Sequence, residues 1–450
     1  MARKHPRQHL SLLVLLFLST VCFTNTPRSL WADETCQSPY LPKITGAEDY
    51  VYVWTLGSDG VGDGSDKLVT IGANTNRPDQ YGKVVSSVSV GGRHEAHHGG
   101  FTDDRRYLWL SGLDDSKIFI FDVVANPSKP TLTKTIDTFV KDSGGVVGPH
   151  TIYPLPGRLL ITGLSNDKDH GGKTGMVEYS NEGKYIQTIW MPEGAEYGYD
   201  VRVQPNLNRM LTSSFTGWNN YMMDFGQMLA DKEAMKRFGS TMVIWDFHAR
   251  KPLQTFQVPG APLEVRWALQ PRHPYAFTAT ALTSKIWLIS QKDDGTFDAK
   301  AVADIGDPAK VPLPVDISLS ADDQFLFVNT FMDGSCRVYN VANPNTPKQI
   351  HEQKIGSQIN MVSQSWDGKR VYFTTSLLSN WDKKGEANEQ FLKAYTWDGK
   401  ALKPAFTVDF TKEGLGRPHI MHFGQDQFYK NQIYTKQHST KTISLAATAR

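Results

Sequence analysis

The chain has 450 residues, of which 40% are hydrophobic and 37 are glycine, so it is long enough and apolar enough to build a large core. Its 48 basic and 46 acidic side chains leave a formal net charge of +2. This balance gives no electrostatic reason to expect nucleic acid or anionic lipid as a partner, and it favours small neutral molecules instead.

The amino terminus predicts a secretory signal peptide over residues 1–32. Basic residues precede the uncharged apolar run 10–23, which is too short to span a bilayer comfortably. Its removal would leave one domain, 33–450, in the periplasm and outside the membrane. In that oxidising compartment Cys36 and Cys336 could form a disulfide, although the simpler interpretation of Cys336 is a small buried residue in a strand.

Seven strand-like runs recur along the rest of the chain, and each opens with a polar or ionisable residue. The opening residues are His98, His150, Asp200, Glu264, Asp316, Asn360 and His419. Successive openings are 52, 50, 64, 52, 44 and 59 residues apart, and a period of about fifty residues is typical of one four-stranded propeller blade. Turn residues and further β-branched and aromatic stretches follow each opening. We therefore predict an all-β fold, a seven-bladed β-propeller of four-stranded blades.

The two ends of the chain are predicted to form the last blade together. His419 opens a unit with little strand-like sequence after it, whereas residues 51–90 supply strand-like runs without an opening strand. Pairing the two segments closes the ring and removes free sheet edges.

Three long segments are predicted on the face of the propeller where the innermost strands begin, because the loop between the second and third strands returns to that face. They are residues 165–174, 218–240 and 379–389. The middle segment has apolar residues at helical spacing. It is interpreted as a helical insertion at about 218–240 that either caps the channel or packs on the surface of one blade.

Histidine dominates the chemistry predicted at the axis. The motif R-H-E-A-H-H-G-G at 93–100 contains three histidines, and a propeller brings His150 and His419 to the same axis as His98. Neutral imidazoles that converge from separate blades form a metal site. His97 can join them only if the strand is irregular, since neighbouring side chains of a regular strand point to opposite faces. All-imidazole ligation suits copper or zinc, and the affinity order favours Cu(II).

The other histidines are ranked lower as ligands. His94 and His422 are reserve candidates. A lone histidine is more often structural than a ligand, and this interpretation applies to His170, His248, His273, His351 and His438.

Three of the remaining blades open with an acid. Asp200, Glu264 and Asp316 are candidate catalytic residues, either as partners of the histidines or as a base beside the metal. The alternative is that they are channel acids paired with Arg202 and Arg266.

Several longer motifs resemble the selenium-binding protein family over nearly the whole mature chain. They include E-A-H-H-G-G, G-Y-D-V-R-V-Q-P, P-L-E-V-R-W, W-D-G-K-R-V-Y-F-T-T-S-L-L-S-N-W-D-K and G-R-P-H-I-M-H-F. The resemblance implies copper bound by His97, His98, His150 and His419. It also implies that a small thiol and oxygen are the substrates, with methanethiol, oxygen and water converted to formaldehyde, hydrogen sulfide and hydrogen peroxide.

Two other functions are compatible with the same residues. A non-catalytic periplasmic carrier of copper, or of sulfur or selenium compounds, would saturate its metal with four histidines and keep no open position. An interaction scaffold would need no metal, since a propeller fold does not by itself define a function. Assembly into a homo-oligomer is compatible with each of these functions.

Overall fold

The computed structural model describes residues 38–431, and within them the chain forms seven four-stranded antiparallel sheets whose innermost strands follow one another around an axis. The predicted all-β, seven-bladed β-propeller is therefore confirmed. The predicted signal peptide, Cys36 and residues 432–450 lie outside the described residues. Within 38–431, none of the helices has the length and apolar character needed to cross a membrane.

One blade combines both ends of the chain, as predicted. Its strands are β1 Tyr50–Leu56, β2 Lys67–Gly72 and β3 Val84–Ser89, with β28 Arg417–Gly424 innermost. β1 pairs with β28 in antiparallel register, from Tyr50 opposite Gly424 to Leu56 opposite Arg417. Main-chain hydrogen bonds between the termini thus close the ring.

The other six blades each use four consecutive strands, from the axis outward. They are β4 Ala96–Phe101, β5 Tyr107–Gly112, β6 Lys117–Asp122 and β7 Thr131–Ile136; β8 Val146–Leu155, β9 Arg158–Asn166, β10 Gly175–Ser180 and β11 Tyr185–Trp190; β12 Val201–Gln204, β13 Arg209–Thr212, β14 Thr241–Asp246 and β15 Lys251–Gln257; β16 Pro262–Trp267, β17 Tyr275–Thr280, β18 Lys285–Gln291 and β19 Phe297–Asp304; β20 Pro314–Leu319, β21 Phe325–Thr330, β22 Ser335–Asn340 and β23 Lys348–Lys354; β24 Val362–Gln364, β25 Arg370–Phe373, β26 Phe391–Trp397 and β27 Leu402–Asp409.

The seven opening residues lie within or just before the innermost strands. Each is at most 2% exposed, including Asp200, which directly precedes β12, and Asn360, which lies two residues before β24. The second and third strands of the blades are buried between neighbouring blades, and this burial accounts for nearly continuous apolar runs such as K-I-F-I-F-D in β6. The outermost strands face solvent on one side, as in β7. Cys336 is fully buried in β22, where burial raises the pKa of its thiol.

The segment between β13 and β14 folds into three short helices. They are α2 Trp218–Tyr221, α3 Phe225–Ala230 and α4 Lys232–Lys236, while α1 Phe139–Ser143 precedes β8 and 3-10 turns occupy Pro205–Leu207, Pro308–Lys310 and Gly385–Ala387. Asp224 and Asp231 cap α3 and α4 through their side chains, which divides the segment into separate helices. Apolar side chains of these helices share one cluster with residues from several blades, Leu164 and Leu377 among them. The insertion thus lies across the end of the axis and does not pack on one blade alone.

A buried ion pair fastens the amino-terminal segment to the neighbouring blade. Glu48 is fully buried and accepts hydrogen bonds from Arg370 Nε at 2.6 Å and from Nη2 at 2.7 Å. The Tyr372 hydroxyl donates to the same carboxylate. Because Arg370 and Tyr372 belong to β25, this contact supports the closure of the ring beside β1.

Replacing Glu48→Gln should lower the free energy of unfolding by about 3 kcal/mol, because a buried guanidinium loses its carboxylate. The urea midpoint measures this change. The matched control is Glu233→Gln in the exposed Glu233–Lys236 pair of α4, which should leave the midpoint unchanged. Equal midpoints for the two variants would contradict the prediction.

Candidate metal centre

A β-bulge in β4 turns two neighbouring histidines toward the axis. The register between β4 and β5 shifts at His97 and His98, which supplies the irregularity needed for both to face one point. The Ser111 hydroxyl accepts a hydrogen bond from His98 N at 3.1 Å and donates one to His98 O at 2.9 Å. A Cβ on Gly99 would lie 2.8 Å from the Trp109 carbonyl oxygen, so close packing requires glycine after the bulge.

Four imidazole rings meet at the axis. The ring centroids of His98 and His150 are 3.9 Å apart, and those of His97 and His419 are 4.0 Å apart. One nitrogen from each of His97, His98 and His150 lies within 4.8 Å of the others. The structure thus brings together all four residues that the sequence ranked as ligands.

Neighbouring backbone and amide groups orient these rings. His150 Nδ1 lies 3.1 Å from the carbonyl oxygen of Tyr199, a contact that holds a proton on Nδ1 and leaves Nε2 with a free lone pair. Asn360 Nδ2 lies 3.4 Å from His419 Nδ1. Among the described residues, His150 Nε2 and His97 Nδ1 have no hydrogen-bond partner. Buried nitrogens without partners are rare in folded proteins and indicate a ligand site.

The environment keeps the cluster neutral. Burial, reinforced by the neighbouring imidazoles, lowers the pKa of each ring well below the usual 6.5, for the residues His97, His98, His150 and His419. Neutral imidazole is the form that binds a metal ion. The donor set contains no cysteine and fits copper or zinc, so these residues fit the predicted copper.

Two arginines bind the three axial carboxylates on the other side of the ring. Arg202 contacts Asp200 and Glu264 at 3.0 Å each. Arg266 contacts Glu264 at 2.8 Å and Asp316 at 3.1 Å. The acids therefore pair with arginines, which is the alternative that the sequence left open for them.

Glu264 differs from the other two acids in its orientation. Asp200 Oδ2 and Asp316 Oδ2 each accept a hydrogen bond from a backbone amide of the next blade, at 2.8 and 2.7 Å. Glu264 Oε1 has no hydrogen-bond partner within 38–431 and lies 3.7 Å from His98 Nε2. Of the three candidate catalytic acids, Glu264 is the one with an oxygen available beside the histidines.

The charges of this network favour a cation. Three carboxylates and two guanidiniums leave one negative charge in excess when all are ionised. Burial opposes ionisation of Glu264, but Arg266 and Arg202 outweigh it and lower the pKa of this carboxyl. Burial raises the pKa of Asp200 and Asp316 despite the arginines. A proton can therefore neutralise the excess charge, and a bound cation would replace it.

The two reserve histidines lie outside the cluster. His94 Nδ1 is 2.7 Å from Asp115 Oδ2, and this hydrogen bond raises the pKa of His94. His422, three residues after His419 on β28, packs against the ring of Phe101 at a centroid distance of 5.4 Å.

Two further residues contribute to the site beyond the candidates drawn from the sequence. The Tyr199 ring lies 3.9 Å from that of His150, and its carbonyl oxygen orients the same histidine. Asn360 Nδ2 contacts His419 and donates to the Ser376 carbonyl oxygen at 2.6 Å. Their positions in the repeat could have identified both residues, since Asn360 opens a blade and Tyr199 directly precedes an opening residue.

Comparison with known protein families gives a match over most of the chain. The family model of the 56 kDa selenium-binding protein (SBP56) matches residues 31–428. The chain belongs to the selenium-binding protein family.

Relatives in this family share most of the chain. It is 60% identical over 419 residues to a protein named methanethiol oxidase from Ruegeria pomeroyi, covering 90% of this chain and 96% of that one. It is 59% identical over 397 residues to a methanethiol oxidase from Hyphomicrobium, covering 87% and 91%. The crystal structure of a hypothetical selenium-binding protein from Sulfolobus tokodaii aligns with a TM-score of 0.76 at 25% identity, covering 86% of this chain and 97% of that chain.

The metal-free protein should lose stability as the pH falls below about 6.5. The pKa values of the cluster are lowered by folding, so below the unfolded value of about 6.5 the unfolded chain binds more protons than the folded one. Each such histidine contributes a loss of about 1.4 kcal/mol per pH unit. Unfolding in urea, followed from about pH 7 to about pH 5, measures the slope.

The raised pKa values of Asp200 and Asp316 have the opposite effect and stabilise the folded protein as the pH falls. The test therefore compares the pH slope of the unfolding free energy between variants. His150→Gln should show a shallower loss than wild type. His248→Gln, at an exposed position, should retain the full slope. Identical slopes in all three proteins would refute the prediction.

Proposed function

We propose that the protein is a periplasmic, copper-dependent methanethiol oxidase. It would convert methanethiol, oxygen and water to formaldehyde, hydrogen sulfide and hydrogen peroxide, with two electrons passing from the methyl carbon to oxygen. The observation that carries the proposal is the convergence of four buried, neutral imidazoles at one point on the axis. Among the described residues, His97 and His150 each keep one nitrogen without a hydrogen-bond partner. The relatives at 60% and 59% identity are named methanethiol oxidase, which supports methanethiol as the substrate.

The histidines would hold the copper. When bound, copper would supply a soft acceptor for sulfur that lowers the pKa of the thiol, and a path for electrons to oxygen. The Tyr199 carbonyl and Asn360 fix the orientation of two of the rings. Burial of the cluster excludes bulk water, so the thiol would reach the histidines largely desolvated.

Glu264 is the residue best placed to accept a proton. Its lowered pKa keeps it ionised at neutral pH, and Oε1 faces His98 while Oε2 is held by Arg202 and Arg266. A thiol bound beside His98 would donate its S–H proton to Oε1. The arginines fix the carboxylate in place, so little reorganisation is needed when the proton moves.

Wild-type protein purified from the periplasm should contain copper and release hydrogen peroxide when methanethiol is added. His98→Ala and His419→Ala each remove one imidazole, so copper content and peroxide release should both fall more than about tenfold. Elemental analysis and a peroxide assay on the same samples measure the two quantities.

The matched control is His422→Gln, which changes a histidine that is 2% exposed and outside the cluster, and it should retain both properties. Copper without peroxide in wild type would indicate a carrier. Wild-type protein without copper would overturn the proposed metal site.

Glu264→Gln should retain copper but lower kcat per bound copper by about a hundredfold or more, because the amide cannot accept the proton. Glu178→Gln is the matched control. Glu178 is also fully buried and paired with two arginines, Arg158 and Arg250, but it lies on β10 away from the axis. Equal kcat values for the two variants would exclude Glu264 as the base.

A further inference from the structure

An apolar cavity lies under the helical insertion at the end of the axis. It is narrow, with about 20 Å³ available to the centre of a water-sized molecule, and it is partly open to solvent. Within the described residues, its lining consists of apolar side chains and the ring of Tyr199, with no charged group. Such a cavity favours small uncharged molecules and excludes ionised ones.

The cavity is adjacent to the axial ring. Tyr199, Leu263 and Val315 line it, and each directly precedes an axial acid in the sequence. The Tyr199 ring also contacts the rings of His150, at 3.9 Å, and His98, at 6.4 Å. Tyr199 therefore belongs both to the cavity wall and to the surroundings of the histidines, so the inner end of the cavity adjoins the cluster.

Buried charged side chains block access of an apolar molecule to the histidines from the opposite side of the ring. Arg202 and Arg266 stand two residues after Asp200 and Glu264 on the same inward-facing side of their strands. Their side chains are 5% and 3% exposed, and both are engaged with the carboxylates. An apolar substrate would reach the histidines through the cavity.

The insertion forms the roof of the cavity. Phe225 and Met228 of α3 line it from above, and Leu229 lines it while remaining 44% exposed, so the opening lies beside α3. Asn380 Nδ2 donates to the carbonyl oxygens of Tyr221 at 2.9 Å and Met223 at 2.8 Å, which fastens the roof to the loop before β26.

Phe215 spans the cavity between its inner wall and its roof. Its ring lies 5.3 Å from Tyr199, 5.6 Å from Phe238 and 5.8 Å from Trp381, centroid to centroid. Its size therefore limits the length of any ligand that points from the histidines toward the opening.

We propose that this cavity receives the alkyl group of a small neutral thiol and that Phe215 sets the longest alkyl chain admitted. The inference rests on the proposed function and names the part of the site that selects the substrate. A methyl group fits beside Phe215, whereas a longer chain meets its ring. Thiols with charged groups, such as amino-acid and peptide thiols, would lose their hydration in an uncharged cavity and be rejected.

The test compares thiols of increasing length on the full-length, copper-containing protein. Phe215→Leu should raise the ratio of kcat/KM for 1-propanethiol to that for methanethiol by about tenfold or more, since one added methylene in a fitted apolar pocket changes selectivity by that order. Val315→Ala enlarges the same cavity by a milder change and should shift the ratio in the same direction. Val315→Ala provides the test if Phe215→Leu does not fold.

Phe139→Leu is the matched control, because Phe139 is the first residue of α1 and is fully buried in a separate apolar cluster. It should leave the ratio unchanged. An unchanged ratio in Phe215→Leu and Val315→Ala would overturn the proposal, as would an equal shift in the control.

A binding measurement separates failure of this proposal from failure of the proposed function. Xenon binds apolar cavities without chemistry, and its uptake by the full-length protein can be followed by NMR. Ala281→Val narrows the cavity and should reduce uptake, whereas Ala249→Val, in an exposed turn, should not. If thiols are not oxidised at all, the proposed function fails, and xenon uptake alone then tests whether the cavity binds small apolar molecules. Equal uptake in both variants would overturn it.

Discussion

Burial of polar side chains on the propeller axis is the constraint on which the site depends. Seven innermost strands deliver seven polar residues to one ring that is almost closed to water, and every buried polar group needs a partner. One side of the ring meets this need with neutral imidazoles that share space for a cation. The other side meets it with Arg202 and Arg266, which bind the three acids. The candidate metal site and the ion-pair network are therefore two solutions to the same problem.

The sequence predicted the fold because the innermost strand begins in the same way in every blade. The recurrence of an opening polar residue fixed the number of blades, and the unmatched segments at the two ends identified the closing blade. The repeat alone predicted that His98, His150 and His419 meet, because equivalent positions in a closed ring of blades lie around one axis. His97 required one more condition, a bulge in β4, and the hydroxyl that completes this bulge comes from Ser111 on the adjacent strand.

The parts that the sequence did not predict depend on contacts between blades. Whether an axial acid is available as a base depends on which arginine reaches it and on amides from the next blade, and neither follows from spacing. Of the three axial acids, only Glu264 has a carboxylate oxygen without a hydrogen-bond partner among the described residues. The apolar cavity is likewise assembled from loops of several blades and from α3, so its lining residues are scattered along the chain.

The axis is divided into layers of different polarity, and their order determines what can reach the histidines. Arg202 and Arg266 form a charged layer on one side of the ring, and the cavity beside Tyr199 and Phe215 forms an apolar layer on the other. In the proposed function, a neutral thiol would be stabilised in the apolar layer and its thiolate would not, so the S–H proton would be retained until the thiol reached the ring. There Glu264 is ionised and within the same layer as the histidines. The proposed site of substrate selection is thus distinct from the proposed site of deprotonation.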